Sequence, residues 1–261
     1  MRALKIAATG MEAQQTRVEV ISNNLANMST TAYMPRRAEF VDLMYQQPRL
    51  AGAVSAADGS MLPAGVQLGL GARLSTVTFD PAQGPLKATN GQLDLAIDGQ
   101  GWFEVTLPNG DPAFTRDGTF KRTGEGRIVN SEGYALVPDI VVPEDTKQIS
   151  INTAGEVYAH FDDTTEPELL GAITIALFAN PKGLEPLGSN LYRETPASGP
   201  PVMGDPTDGG RGRILQGYIE ESGVDPVREI TELIAAQRGY ELNSKVITAA
   251  DQMLGTTTQI R

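Results

Sequence analysis

Helical apolar repeats stand at the two ends of this chain, and turns and short strands fill everything between them. Leu4, Met11, Val18 and Leu25 recur at seven-residue intervals, with Ala7, Gln14, Ile21 and Met28 in the interleaved positions. Near the other end, Ile230, Leu233, Gln237, Tyr240, Ser244, Ile247 and Leu254 follow a similar seam. Such spacing puts one narrow stripe on a helix, and a narrow stripe seeks another helix. The N-terminal stripe offers only a few residues worth about 1.5–3 kcal/mol each on burial. Ordering the helix read over residues 3–28 costs about 1–2 kcal/mol per residue in backbone entropy. The stripes therefore predict helices that are marginal alone and become ordered against partners, with other copies of the chain foremost among them.

Between the helices the pattern changes twice. Asn23, Asn24 and Asn27 crowd the end of the first helix, and Phe40, Leu43, Met44 and Tyr45 read as one more helical turn. Residues 46–68 carry no stripe and are punctuated by Pro48, Gly52, Asp58-Gly59 and Pro63, which predicts an extended hairpin or a long loop. Alternating apolar runs then follow, among them Leu93-Leu95-Ile97, Trp102–Leu107, Phe114–Phe120, Ile149-Ile151 and Ile173-Ile175-Leu177. Turn signals such as Pro108-Asn109-Gly110-Asp111 separate them, as in a β-sandwich or open barrel. The last helix starts at Asp225 as cap with Pro226 in its first turn. Gly10 and Gly239 sit inside the helices, each at a cost of about 1 kcal/mol relative to alanine, and predict close helix approach or a bend. The fold class is thus mainly β with terminal α: an N-terminal helix region (1–45), an excursion (46–68), a β-rich domain (69–220) and a C-terminal helix (221–261).

Composition excludes several chemistries. The net charge of −11 disfavours nucleic acid, whose phosphates need a basic surface. The first fifty residues nevertheless hold Arg2, Lys5, Arg17, Arg36, Arg37 and Arg49, so the acidic surplus lies in the middle. With no cysteine there is no disulfide framework, thiolate zinc site or cysteine nucleophile. The one histidine, His160, sits in an alternating stretch and reads as a surface strand residue rather than a triad member. No window approaches the ~20 apolar residues of a membrane span. The first residues do not read as a cleavable signal, because Glu12, Arg17 and Glu19 interrupt them.

The remaining candidates for chemistry are weak. Gly99-Gln100-Gly101 resembles half of a dinucleotide loop but leads into a strand, not a helix. Asp162-Asp163 with Glu166 and Glu168 lacks calcium-loop spacing. Asp94, Asp98, Asp111 and Asp117 could supply a carboxylate pair for glycoside hydrolysis, yet each stands where turns and strand ends ordinarily use aspartate. Trp102 reads as β-core rather than a sugar platform. No catalytic residue, cofactor or metal is expected.

A family resemblance rests on several runs. At the start stand Ala8–Gln15 and Val20-Ile21-Ser22-Asn23-Asn24-Leu25-Ala26-Asn27. In the middle stand Ala96–Phe103, Thr115-Arg116-Asp117-Gly118 and Gly188–Tyr192. At the end stand Gln216–Glu220, Gln237-Arg238, Tyr240-Glu241, Asn243–Lys245 and Asp251–Leu254. These resemble the bacterial flagellar rod and hook proteins over nearly the whole chain, and the C-terminal run, the length and the excursion favour the distal-rod branch over proximal rod or hook. Two positions depart from it. Ala32-Tyr33-Met34-Pro35 stands where the family usually has a glycine, an aromatic and a lysine, and Gly223 stands where it favours asparagine.

The resemblance implies a non-enzymatic subunit of a helical homo-polymer in the flagellar basal body. Its members leave the cell through the flagellar type III export apparatus without a cleaved signal. They span the periplasm towards the outer membrane, join proximal rod to hook, transmit torque and turn inside the P and L rings. In this picture the terminal helices of many copies pair in an axial coiled coil around a channel, with the β-domain outside. Leu4, Met11, Val18, Ile21, Asn24, Leu25 and Asn27 would then lie at subunit interfaces, together with Ile230, Leu233, Gln237, Tyr240, Ser244, Ile247 and Leu254. Residues 46–68 would be the segment associated with a straight, stiff rod. Outside this class, a β-rich carbohydrate-binding or hydrolytic protein with helical anchors is the alternative.

Overall fold

A computed structural model describes residues 2–49, 66–162 and 166–259. The chain is mainly β, with one long helix at each end, and divides into two compact units. Unit 1 gathers residues 1–26, 36–79 and 225–261; unit 2 comprises 27–35 and 80–224.

Unit 1 is built on two helices, α1 (Arg2–Ala26) and α2 (Pro226–Gln259). They run antiparallel: Gly10 lies against Asn243, Gln14 against Gly239, and Arg17 Nη2 reaches Glu232 at 3.2 Å. The two interior glycines thus mark places where the helices approach closely. A Cβ on Gly10 would come within 2.9 Å of the Asn243 amide, and one on Gly239 within 3.1 Å of Gln14. In both cases the neighbour is the end of a flexible side chain, so alanine would ask Asn243 or Gln14 to shift.

The start of α2 follows from its sequence. Asp225 Oδ1 accepts the N–H groups of Val227 (3.0 Å) and Arg228 (3.3 Å), satisfying donors that have no intrahelical partner. Replacing Asp225 with alanine is expected to cost unit 1 about 1 kcal/mol, measurable by urea denaturation followed at 222 nm.

The expected helical turn around Phe40–Tyr45 is absent. Those residues belong to β1 (Arg36–Asp42) and β2 (Tyr45–Arg49), with Leu43 and Met44 between. Among the described residues two further strands belong to the unit, β3 (Val66–Gly69) and β4 (Ala72–Phe79). β1 pairs antiparallel with β4 from Arg36↔Phe79 to Asp42↔Ala72, through a bulge at Glu39/Phe40. Four apolar residues in a short window fit either period, and long-range pairing decided for the strand. β2 and β3 pair antiparallel, Tyr45↔Gly69 and Gln46↔Leu68, so the excursion begins and ends as a hairpin. Residues 50–65, the rest of it, lie outside the described residues.

The entry from α1 into β1 is fixed by Asn24. This side chain is buried; its Nδ2 donates to the Arg36 carbonyl (2.9 Å) and its Oδ1 accepts the Arg36 N–H (2.8 Å). An amide matches both groups of one residue at once, which an aliphatic side chain cannot do.

In unit 2 a seven-stranded sheet carries, in spatial order, strands 185–188, 191–193, 112–115, 103–106, 135–136, 128–129 and 121–122. A three-stranded sheet (148–151, 156–160, 168–172) and three two-stranded pairs complete it. Leu95, Ile97, Phe103, Val105, Ile128, Val157, Ile173, Ile175 and Ile214 are fully buried in one core. Trp102 is core, as its sequence context predicts, packed edge-on to Tyr192 at 4.9 Å. His160 ends the strand Glu156–His160, and its Nε2 lies 2.9 Å from Ser150 Oγ on the neighbouring strand.

The Ala32–Pro35 run and Gly223 meet in unit 2. Ala32, Tyr33 and Met34 are buried, and Gly223 donates its N–H to the Tyr33 carbonyl at 3.0 Å. A Cβ at Gly223 would stand 3.1 Å from Pro35 Cδ. Proline at 35 and glycine at 223 are therefore matched to each other. Ala32 adopts φ +54°, a left-handed conformation that costs an alanine about 1–2 kcal/mol.

Candidate functional site

The conspicuous polar site of unit 2 is buried and structural. Arg116 and Glu220 are 5% and 3% exposed, and Arg116 Nε meets Glu220 Oε2 at 2.8 Å. Three further guanidinium N–H groups go to backbone: Nη1 to the carbonyls of Gly99 (3.0 Å) and Gly101 (2.9 Å), Nη2 to that of Ile97 (3.1 Å). Glu220 Oε1 accepts the Gly84 N–H at 2.9 Å. Every charge is thus paired and hydrogen-bonded, the condition for keeping ions in a low-dielectric interior.

This explains Gly99-Gln100-Gly101. A phosphate loop turns N–H groups towards an anion; here two carbonyls turn towards a cation, which is the opposite polarity. Both glycines have positive φ, +119° and +142°. Sequence spacing did not reveal that the 96–103, 115–118 and 216–220 runs converge, because their contact is tertiary.

The other candidates for chemistry are engaged locally. Asp98 pairs with Arg213 at 2.8 Å, Asp117 Oδ1 accepts the N–H and hydroxyl of Thr119, Asp111 binds Asn109, and Asp94 accepts from Thr89. Asp162 pairs with Lys147 at 2.6 Å; Asp163 lies outside the described residues. Among the described residues no group of three or more His, Asp or Glu side chains could hold a metal, and no helix is long and apolar enough to cross a membrane.

The predicted interface residues fall into distinct environments. On α1, Leu4, Met11, Val18 and Leu25 are half-buried, while Ile21 and Asn24 are buried. Asn27 is half-buried, and its side chain meets Thr30 Oγ1. On α2, Leu233, Ser244 and Ile247 are half-buried, whereas Ile230, Gln237 and Tyr240 are exposed. The side chain of Leu254 lies outside the described residues.

Beyond Gly239, sequence reasoning missed most of two faces of α2. The buried or half-buried one carries Glu232, Ala236, Gly239, Asn243 and Ala250, with Ala236 0% exposed. Its signal is small residues at helical spacing, which an apolar count overlooks. A second face carries Val227, Ile234, Leu242, Val246 and Met253, exposed between 46% and 75%. At 100° per residue Val227, Ile234 and Leu242 lie roughly 120–180° from Ala236, while Met253 and Val246 stand at about 80–100°, on the flank of the packed face. Apolar residues therefore surround much of α2, more than one in-chain partner covers.

Glu229 and Glu232, one turn apart near the start of α2, are pushed in opposite directions. Burial raises the Glu229 carboxyl above its ordinary range, with the Glu232 charge adding to that rise; Asn24, Arg228 and Arg37 only partly offset it. Burial acts the same way on Glu232, but hydrogen bonds from Arg17 and Arg228 outweigh it and hold that carboxyl below its usual value. A raised folded-state pKa means that Glu229 favours folding most at low pH and loses that contribution as pH rises through the window above its unfolded value. The Glu232 contribution is present above its unfolded value and is lost as pH falls through its lowered one. Glu229→Gln is therefore expected to remove the loss of unit 1 stability as pH rises above the normal glutamate range. Denaturation midpoints of wild type and variant between pH 4 and 8 check this.

Three family models match successive parts of the chain: the "Flagella basal body rod protein" model over residues 4–33, the "Flagellar hook protein FlgE/F/G D1 domain" over 96–159, and the "Flagellar basal body rod FlgEFG protein C-terminal" over 215–260. The flagellar basal-body rod protein FlgG of Agrobacterium fabrum is 49% identical over 253 residues, covering 97% of each chain. That of Caulobacter vibrioides is 47% identical over 261 residues and 100% of each chain. That of Bacillus subtilis is 37% identical over 97% of each chain. A crystal structure of the Helicobacter pylori hook protein FlgE2 aligns at 16% identity and a TM-score of 0.25, covering 71% of this chain and 43% of that one, too distant to carry an argument about architecture. Full-length identity approaching one half, with three matching family models along the chain, places it in the FlgG family of flagellar basal-body rod proteins.

Proposed function

We propose that the chain is a non-enzymatic structural subunit of the flagellar distal rod, polymerising into a helical tube that transmits torque. The observation that supports this reading best is full-length identity of 47–49% to FlgG rod proteins. In the tube, α1 and α2 of many copies pair in an axial coiled coil. The exposed apolar face of α2 meets neighbouring copies there, together with Ile230 and Tyr240 from the predicted stripe. The rod would join proximal rod to hook, cross the periplasm and turn within the P and L rings. The chain would reach it through the flagellar type III apparatus without signal cleavage; the absence of cysteine suits passage as an unfolded thread.

Electron microscopy of basal bodies from cells lacking the protein tests this. A rod that stops short before the hook is expected, and a complete rod would overturn the reading. Deleting residues 46–68 should in turn yield a polymer that has lost its straightness; a straight polymer would favour a proximal-rod or hook role instead.

A further inference from the structure

The chain contains two Asn-Gly pairs, Asn90-Gly91 and Asn109-Gly110, both in connections between strands of unit 2. In such a pair the glycine nitrogen, unhindered by a side chain, can attack the asparagine amide carbon. The fold decides whether it does, through its hold on the amide and on the glycine N–H. At Asn109 both are held. Its Oδ1 accepts the Asp111 N–H (3.2 Å), its Nδ2 donates to Asp111 Oδ2 (2.6 Å), and the Gly110 N–H donates to the Leu107 carbonyl (2.9 Å). Asn90 is exposed, and its side-chain amide binds no described residue. The Gly91 N–H has only a long contact, 3.4 Å to Thr89 Oγ1. Conformation explains why these two residues stand together. Asn90 adopts φ +61°, a region asparagine enters more readily than most side chains. A Cβ on Gly91 would collide with Asp94 Oδ2, the oxygen to which Thr89 Oγ1 donates. The turn thus favours the very succession of residues that is chemically labile.

We propose that Asn90 is a site of spontaneous deamidation in the folded protein and that its counterpart Asn109 is protected. The Asn90–Gly91 peptide turns, giving up the contact to Thr89, and the Gly91 nitrogen bonds to Asn90 Cγ. The Cγ–Nδ2 bond breaks, and Nδ2 leaves as ammonia with the proton that the Gly91 nitrogen loses. Water then opens the resulting succinimide at either carbonyl, giving aspartate or isoaspartate. Both products add a negative charge, and isoaspartate also lengthens the backbone by one carbon. The turn has little room for that. The N–H groups of Thr89 and Asn90 donate to the Gly217 carbonyl at 2.8 and 3.2 Å, beside the pairing of strand 86–88 with strand 218–220, which starts at Tyr218↔Ala88. The second of these strands ends in Glu220, the partner of buried Arg116. Isoaspartate at position 90 therefore loosens the strand that carries one half of the buried ion pair.

Full-length chain incubated in mildly alkaline buffer, folded in one series and in urea in another, tests this by peptide mapping and mass spectrometry. In urea the two asparagines should react at comparable rates. In the folded chain Asn90 should react at least about tenfold faster than Asn109, a ratio that corresponds to about 1.4 kcal/mol of local protection at Asn109. The Asn90 peptide should show the mass gain of amide-to-acid conversion and separate into aspartate and isoaspartate forms. The melting temperature should fall as the isoaspartate fraction grows. Asn90→Gly, which tolerates the same positive φ, should abolish both the modification and the fall. Equal rates at the two sites in the folded chain, or an Asn90 that stays intact there while both sites react in urea, would overturn the proposal.

Discussion

Replacing Glu220 with alanine should lower the stability of unit 2 by about 3–5 kcal/mol, because it strands a buried guanidinium. For a unit of this size each kcal/mol shifts the melting temperature by about 2–4 °C, so a fall of roughly 6–20 °C is expected. The loss exceeds that of an ordinary ion pair because Arg116 and Glu220 are 5% and 3% exposed, whereas exposed pairs are worth about 0–1 kcal/mol. Glu220→Gln keeps one acceptor for Arg116 but loses the charge and the acceptor that serves the Gly84 N–H, so it should cost less than alanine without being neutral. Arg116→Met removes both the cation and the donors to the carbonyls of Ile97, Gly99 and Gly101, and should cost at least as much as Glu220→Ala. Differential scanning calorimetry of the three variants checks the ranking. A Glu220→Ala loss below 1 kcal/mol would show that water or rearrangement satisfies Arg116.

The helices were legible because their signals are local. Asp225-Pro226 marks a start that the capping hydrogen bonds match, and the seven-residue repeat marks α1. The strand at Phe40 was not legible, since its apolar residues admit both periods and the choice rests with β4, some thirty residues on. Arg116 stood within a run that carried the resemblance, yet its role needed Gly99, Gly101 and Glu220 to be brought together from across unit 2. Asn24 shows the same limit. Both its amide atoms bind the Arg36 backbone, a role that its place in the Ser22–Asn27 run did not announce. A sequence pattern shows that a residue type is needed at a position; the partner that needs it emerges only in three dimensions.

On α2, position should decide between loss of fold and loss of assembly. Ala236 is 0% exposed, so Ala236→Asp buries a carboxylate without a partner and should unfold the helix pair. Leu242 is 63% exposed, and Leu242→Asp should leave the monomer's stability within about 0.5 kcal/mol. In the polymer the same substitution removes about 1.5–3 kcal/mol of apolar burial per subunit and adds the cost of desolvating a charge. Since 1.4 kcal/mol is a factor of ten, the critical concentration for assembly should rise by at least about tenfold to a hundredfold. Ile230→Asp, in the predicted stripe and also exposed, should behave like Leu242→Asp. Sedimentation of the purified variants beside their circular-dichroism melts separates the cases: Ala236→Asp loses both fold and pellet, the other two lose the pellet alone. Helical tubes of normal yield from both Leu242→Asp and Ile230→Asp would mean that the outward apolar face of α2 is not where copies meet.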